Sequence, residues 1–109
     1  MAHIAILGSG GFGCSLAVMC AGCGHTVMLW SPFRPEVERL RADREHTKLL
    51  PGIKLPPQIE ITDDISGAAE ADFAIVATPS FAVRSACSTL AGVIKAGVPV
   101  SCVAKGFEP

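Results

Sequence analysis

Apolar residues run along this chain in short blocks divided by glycines, prolines or charges, and the blocks alternate between two kinds. His3–Leu7 is an apolar run ending in glycine, the pattern of a strand buried on both faces. Gly11–Cys23 follows, rich in Ala, Cys, Leu and Met. It reads as a helix packed closely on a sheet and stopped by Gly22 and Gly24. Thr26–Trp30 predicts a second strand. Pro35 sits at the first position of a solvated amphipathic helix reaching about His46, with Val37 and Leu40 as its apolar positions. Leu50–Pro57 holds three prolines and a glycine and reads as an irregular connection. Ile59–Thr62 predicts a third strand, and Asp63 or Asp64 caps a small helix through Ala71. Phe73–Thr78 is the fourth strand, Ser80 caps a helix to about Lys95, and Val98–Ala104 is the fifth strand. Strands that alternate with helices need crossovers. The sheet is therefore expected to be mostly parallel, in the order 3-2-1-4-5, with a ligand crevice at the carboxyl ends of strands 1 and 4.

Composition narrows the function classes. Residues 1–109 have room for one small domain. Half of them are hydrophobic and mean hydropathy is +0.45, enough for a buried core. Nine Lys and Arg face ten Asp and Glu, whereas a nucleic-acid binder carries a basic stripe. With no Tyr and one Trp, a platform for stacked bases is also excluded. The longest apolar stretch, Leu16–Cys23, is broken by Gly22 and falls short of the ~20 residues a bilayer demands, so no membrane span is expected. The glycines of residues 8–13 interrupt the amino-terminal apolar run too early for a secretory signal. A cytoplasmic protein is the expectation. The five cysteines (Cys14, Cys20, Cys23, Cys87, Cys102) read as small hydrophobes of a reduced protein. Cys20 and Cys23 form a C-x-x-C, and His25 falls in the turn after the helix. Zinc would need further ligands, and no second C-x-x-C or paired His follows, so no metal site is predicted.

The chemistry concentrates in the first turn. Gly8-Ser9-Gly10-Gly11-Phe12-Gly13 is a G-x-G-x-x-G that directly follows a strand and opens a helix, with a second strand beginning at Thr26. Gly8 permits the tight turn and Gly10 admits a pyrophosphate close to the backbone. Gly13 allows close helix–strand packing, and the N–H groups at the helix start hold the negative charge. The fold class is therefore α/β: a Rossmann-type, doubly wound, mostly parallel five-stranded sheet that binds NADP or NAD.

Three further places border the predicted crevice. An NAD-selective site usually carries Asp or Glu at the end of strand 2. Here that stretch reads Trp30-Ser31-Pro32-Phe33-Arg34, with no acid before Glu36. Ser31 and Arg34 are then candidates for a 2′-phosphate, which favours NADP; alternatively Arg34 is a solvated surface charge. In Thr78-Pro79-Ser80, Pro79 keeps Thr78 extended and Ser80 starts a helix. The triplet is either a wall against the cofactor or a plain cap. Lys105 follows strand 5 and is either a crevice cation for cofactor or substrate, or a surface lysine.

Taken together, these stretches resemble the amino-terminal domain of the bacterial NAD(P)-dependent glycerol-3-phosphate dehydrogenases. The resemblance rests on residues 6–13, on Gly24-His25-Thr26-Val27-Met28-Leu29-Trp30 and on Leu50-Pro51-Gly52-Ile53-Lys54-Leu55-Pro56-Pro57. It continues through Ala77-Thr78-Pro79-Ser80 and Ala104-Lys105-Gly106-Phe107-Glu108. It implies reversible hydride transfer between NAD(P)H and dihydroxyacetone phosphate, giving sn-glycerol 3-phosphate for phospholipid synthesis. It also implies cofactor contacts at Gly11, Phe12 and Pro32, and a contact of Lys105 with both cofactor and substrate.

The chain departs from the family at several positions. Gly11 stands where Ser is frequent, Pro32 and Phe33 where a basic or polar residue is common, and Phe107 where Leu is usual. The family's helical carboxyl-terminal domain, with the catalytic lysine and most of the substrate phosphate site, has no counterpart here. No residue is therefore assigned a catalytic role, and the chain alone is expected to be inactive. An uncovered fifth strand predicts self-association. A stand-alone dinucleotide module and another Rossmann dehydrogenase, such as a ketopantoate reductase, are the competing readings.

Overall fold

The computed structural model describes residues 2–45, 52–78 and 82–103. Five strands, β1 (His3–Leu7), β2 (Thr26–Trp30), β3 (Ile59–Thr62), β4 (Phe73–Val76) and β5 (Val100–Cys102), form one sheet. Three helices connect them: α1 (Gly11–Gly22), α2 (Arg34–Asp43) and α3 (Val83–Ala91), with a short 3-10 helix at Ile65–Glu70. The order is β3-β2-β1-β4-β5 and every pairing is parallel, as the alternation predicts. β1 lies in the middle, its residues from His3 to Leu7 in register with Thr26 to Trp30 of β2. On its other side Leu7 pairs with Val76 of β4.

Both faces of this sheet are covered, which explains why the strands read as unbroken apolar runs rather than alternating ones. Ile4 and Ile6 of β1 join Val27, Leu29, Ile59 and Ile61 on one face, under Cys14, Ala17 and Ala21 of α1 and Val37 and Leu40 of α2. Ala5 and Leu7 point the other way, to Met28, Trp30 and Val76, beneath Ala68 of the 3-10 helix and Ala86 and Leu90 of α3. The small residues on α1 let it approach the strands closely.

Element ends shift for identifiable reasons. α1 stops as expected: Gly24 adopts φ +92°, and the N–H groups of Gly24 and His25 return to the carbonyls of Ala21 and Cys20. α2 starts one residue earlier than predicted, with Pro35 inside its first turn, and ends at Asp43 rather than near His46. Its stop is Arg44, held left-handed at φ 52°, whose guanidinium donates to the carbonyls of Pro56 and Ile59 at 2.6 and 2.9 Å. The small helix is a 3-10 turn, and its cap is Asp64, which accepts from the Ser66 N–H at 3.0 Å. Asp63 is drawn elsewhere: its carbonyl accepts from Trp30 Nε1 at 3.1 Å and its carboxylate meets Arg34. β4 ends two residues before Thr78, and β5 is three residues long rather than seven, as it pairs with β4 alone. α3 runs from Val83 to Ala91 and stops short of Lys95; Ser80 lies outside the described residues. No helix of the described residues is long and apolar enough to cross a membrane.

Candidate functional site

The carboxyl ends of β1, β2 and β4 are stitched together by backbone bonds. The Gly8 N–H donates to the Trp30 carbonyl at 2.8 Å, and the Ala77 N–H to the Leu7 carbonyl at 2.8 Å. The loop from Gly8 to Gly13 turns out of this seam, and its glycines answer to different demands. Gly8 sits at φ +128°, and a Cβ there would lie 2.7 Å from the Ala77 carbonyl carbon and oxygen. A Cβ at Gly13 would run into the Gly8 carbonyl oxygen. Both positions are fixed by the fold itself. Gly10 is exposed, has φ −72°, and a Cβ there would meet nothing within 4 Å. Among the described residues nothing forbids a side chain at residue 10; the space in front of it is open to a guest.

Gly10 also precedes α1, which has no side-chain cap and no acid in its own first turn. The first helical bond runs from the Cys14 N–H to the Gly10 carbonyl at 2.9 Å, and an α-helix start leaves earlier N–H groups without intrahelical acceptors. That end attracts an anion. Across the seam, beside Gly8, the Thr78 hydroxyl is buried and has no partner among the described residues. A buried hydroxyl left unpaired costs about 1–3 kcal/mol, which a ligand atom at this point offsets. Open space at Gly10, a helix start and an orphaned hydroxyl together fit a dinucleotide's phosphates.

The other predicted residues divide. Ser31 is buried: its N–H donates to the Thr62 carbonyl at 3.1 Å, and its hydroxyl accepts from the Phe33 N–H at 3.2 Å, so it shapes the turn after β2. Pro32 and Phe33 are exposed on that turn. Arg34 is not a lone cation, since it meets Glu38 at 3.2 Å and Asp63 at 3.1 Å. Gly11 and Phe12 open α1 at the crevice, whereas Pro79 and Lys105 lie outside the described residues.

The sequence pattern passed over one acid. Glu36, in the first turn of α2, returns to the glycine loop and accepts a hydrogen bond from the Ser9 hydroxyl at 2.7 Å. Its signal was positional: a helix that begins where β2 ends has its first turn at the mouth of the crevice. Glu36 also bears on Cys14, whose thiol is pushed up to about 12 by burial first and by that carboxylate second. Cys14 Sγ lies 3.4 Å from the Ser9 carbonyl and is a packing group, with no thiolate for chemistry near neutral pH. Burial and the neighbouring Cys23 likewise raise Cys20. Among the described residues, no group of three or more His, Cys, Asp or Glu is placed to hold a metal ion.

The sequence profile described as NAD-dependent glycerol-3-phosphate dehydrogenase N-terminus matches residues 3–109. The chain belongs to this family. Glycerol-3-phosphate dehydrogenase [NAD(P)+] of Agathobacter rectalis is 38% identical over 109 residues, which cover 99% of this chain and 32% of that protein. The Prosthecochloris aestuarii enzyme of the same name is 43% identical over 107 residues, 96% of this chain and 32% of the relative. The crystal structure of glycerol-3-phosphate dehydrogenase from Coxiella burnetii superposes with a TM-score of 0.88 at 27% identity, covering 97% of this chain and 33% of that one. The chain thus spans about a third of the length of the glycerol-3-phosphate dehydrogenases it matches, and that third is their amino-terminal cofactor part. Its loop at residues 8–13 lies within that part.

Proposed function

We propose that this chain holds the dinucleotide for a glycerol-3-phosphate dehydrogenase, which interconverts dihydroxyacetone phosphate and sn-glycerol 3-phosphate in the cytoplasm and supplies phospholipid synthesis. The bound cofactor supplies or receives the hydride. Gly10 and Gly11 present bare backbone to the pyrophosphate, Phe12 lies beside them on α1, and Gly8 and Gly13 keep the loop in shape. Thr78 offers its hydroxyl from the β4 side, and the cofactor contact expected of Pro79 rests on the sequence alone. Ser31, Pro32 and Arg34 rim the adenosine end, and the family resemblance assigns Lys105 a contact with both cofactor and substrate. Hydride transfer draws on further residues of the helical domain that the family resemblance implies, and residues 1–109 taken by themselves are expected to bind without turning over. The exposed edge of β5 among the described residues makes self-association an expected contact.

The observation that carries this reading is the open space at Gly10, set between two glycines that the fold needs for itself. The test is calorimetric titration of NADH and NADPH into this chain, beside Gly10→Val and Thr78→Val. A valine at 10 is expected to abolish binding of both. At 78 it removes one hydrogen bond and weakens binding roughly five- to tenfold. Unaltered binding by Gly10→Val would refute the assignment.

A further inference from the structure

We infer that Glu36 decides between the two dinucleotides: its carboxylate takes the adenosine 2′-hydroxyl of NAD and repels the 2′-phosphate of NADP. This rests on the dinucleotide reading of the glycine loop given above. In a Rossmann crevice the adenosine ribose lies between the glycine turn and the end of the second strand, where an acid marks a site for NAD. β2 and the turn after it carry no acid. Glu36 brings one back from α2, and the Ser9 hydroxyl donates to its Oε1 at 2.7 Å. That bond ties the carboxylate to the residue between the first two glycines, where the ribose must pass.

The charge is held in place and partly removed from water. Ser9 is 5% exposed and Glu36 is half-buried, so the carboxylate stands fixed beside the glycine loop. A phosphate monoester brings about −1.5 to −2 charges at neutral pH, whereas a ribose hydroxyl donates a charge-assisted hydrogen bond to the same carboxylate. The cation that would favour NADP is engaged: Arg34 already meets Glu38 and Asp63. A phosphate would share Arg34 with two carboxylates while facing Glu36.

The alternative is that the Ser9–Glu36 bond only pins α2 to the loop. Titrating NADH and NADPH into this chain, into Glu36→Gln and into Ser9→Ala separates the two. This chain is expected to bind NADH roughly tenfold more tightly than NADPH, the size of one charge repulsion at a half-screened site. Glu36→Gln brings the ratio toward one, chiefly by tightening NADPH, a gain that damage to the fold does not produce. Ser9→Ala keeps the charge but releases it and moves the ratio the same way by less; it carries the test should Glu36→Gln not fold. A ratio unchanged by these substitutions, or a preference for NADPH in the unsubstituted chain, overturns the role of Glu36 and leaves the dinucleotide site standing. Binding of neither dinucleotide by the unsubstituted chain overturns both.

Discussion

At residues 8, 10 and 13 the same amino acid is present for separate physical reasons, and substitution separates them. Gly8→Ala places a Cβ against the Ala77 carbonyl on a left-handed backbone and is expected to cost more than about 1 kcal/mol. Gly13→Ala drives a Cβ into the Gly8 carbonyl oxygen and is expected to cost about 1–3 kcal/mol, as overpacking does. Gly10→Val has free space and an ordinary backbone, so its urea midpoint should stay near that of the parent while its cofactor affinity is lost. Equilibrium urea unfolding of the three variants checks the order. The residues themselves announced Gly8, Gly10 and Gly13 through their spacing and context. The role of Glu36 was not legible, because it depends on a contact with Ser9 across 27 positions that no local pattern encodes. The ion pair of Arg34 with Asp63 was hidden for the same reason, since Asp63 arrives from beyond β3.

Elements were legible where a stop was chemically marked and blurred where tertiary contacts set the end. Gly24 announced the end of α1, whereas the left-handed Arg44 that ends α2 is held by carbonyls 12 and 15 positions away. The choice of Asp64 over Asp63 as cap of the 3-10 helix followed only from the demands of Trp30 and Arg34 on Asp63. That cap has a pH signature. Backbone and side-chain hydrogen bonds from Ser66 hold the Asp64 carboxyl below its ordinary value of 3.8. A folded-state pKa below the unfolded one gives stability that is complete above pH 3.8 and is lost as the pH falls through the lower folded value. Melting midpoints measured from pH 6 down to pH 2 should therefore fall less steeply in Asp64→Asn than in the parent. Equal slopes would remove Asp64 from the account.

Across the whole molecule, the five-strand order followed from alternation alone, because right-handed crossovers leave few ways to cover both faces of a parallel sheet. The length of β5 did not follow. A strand with one neighbour keeps only the pairing that neighbour supplies, here Val100 to Cys102 against Ala74 to Val76. Its far edge exposes backbone and the Val100 side chain, which is 43% accessible. Val100→Lys is expected to reduce self-association at high concentration by blunting that edge. Light scattering over a concentration series reads the difference, and a parent that stays monomeric throughout removes the edge as an interface.

The unequal footing of the loop's glycines also bears on descent. A lineage freed from carrying a dinucleotide would still be selected to keep residues 8 and 13, since a side chain at either strains the scaffold. Residue 10 meets no such restraint among the described residues and would be free to gain a side chain. On the proposed reading its identity records use, while its two companions record only shape.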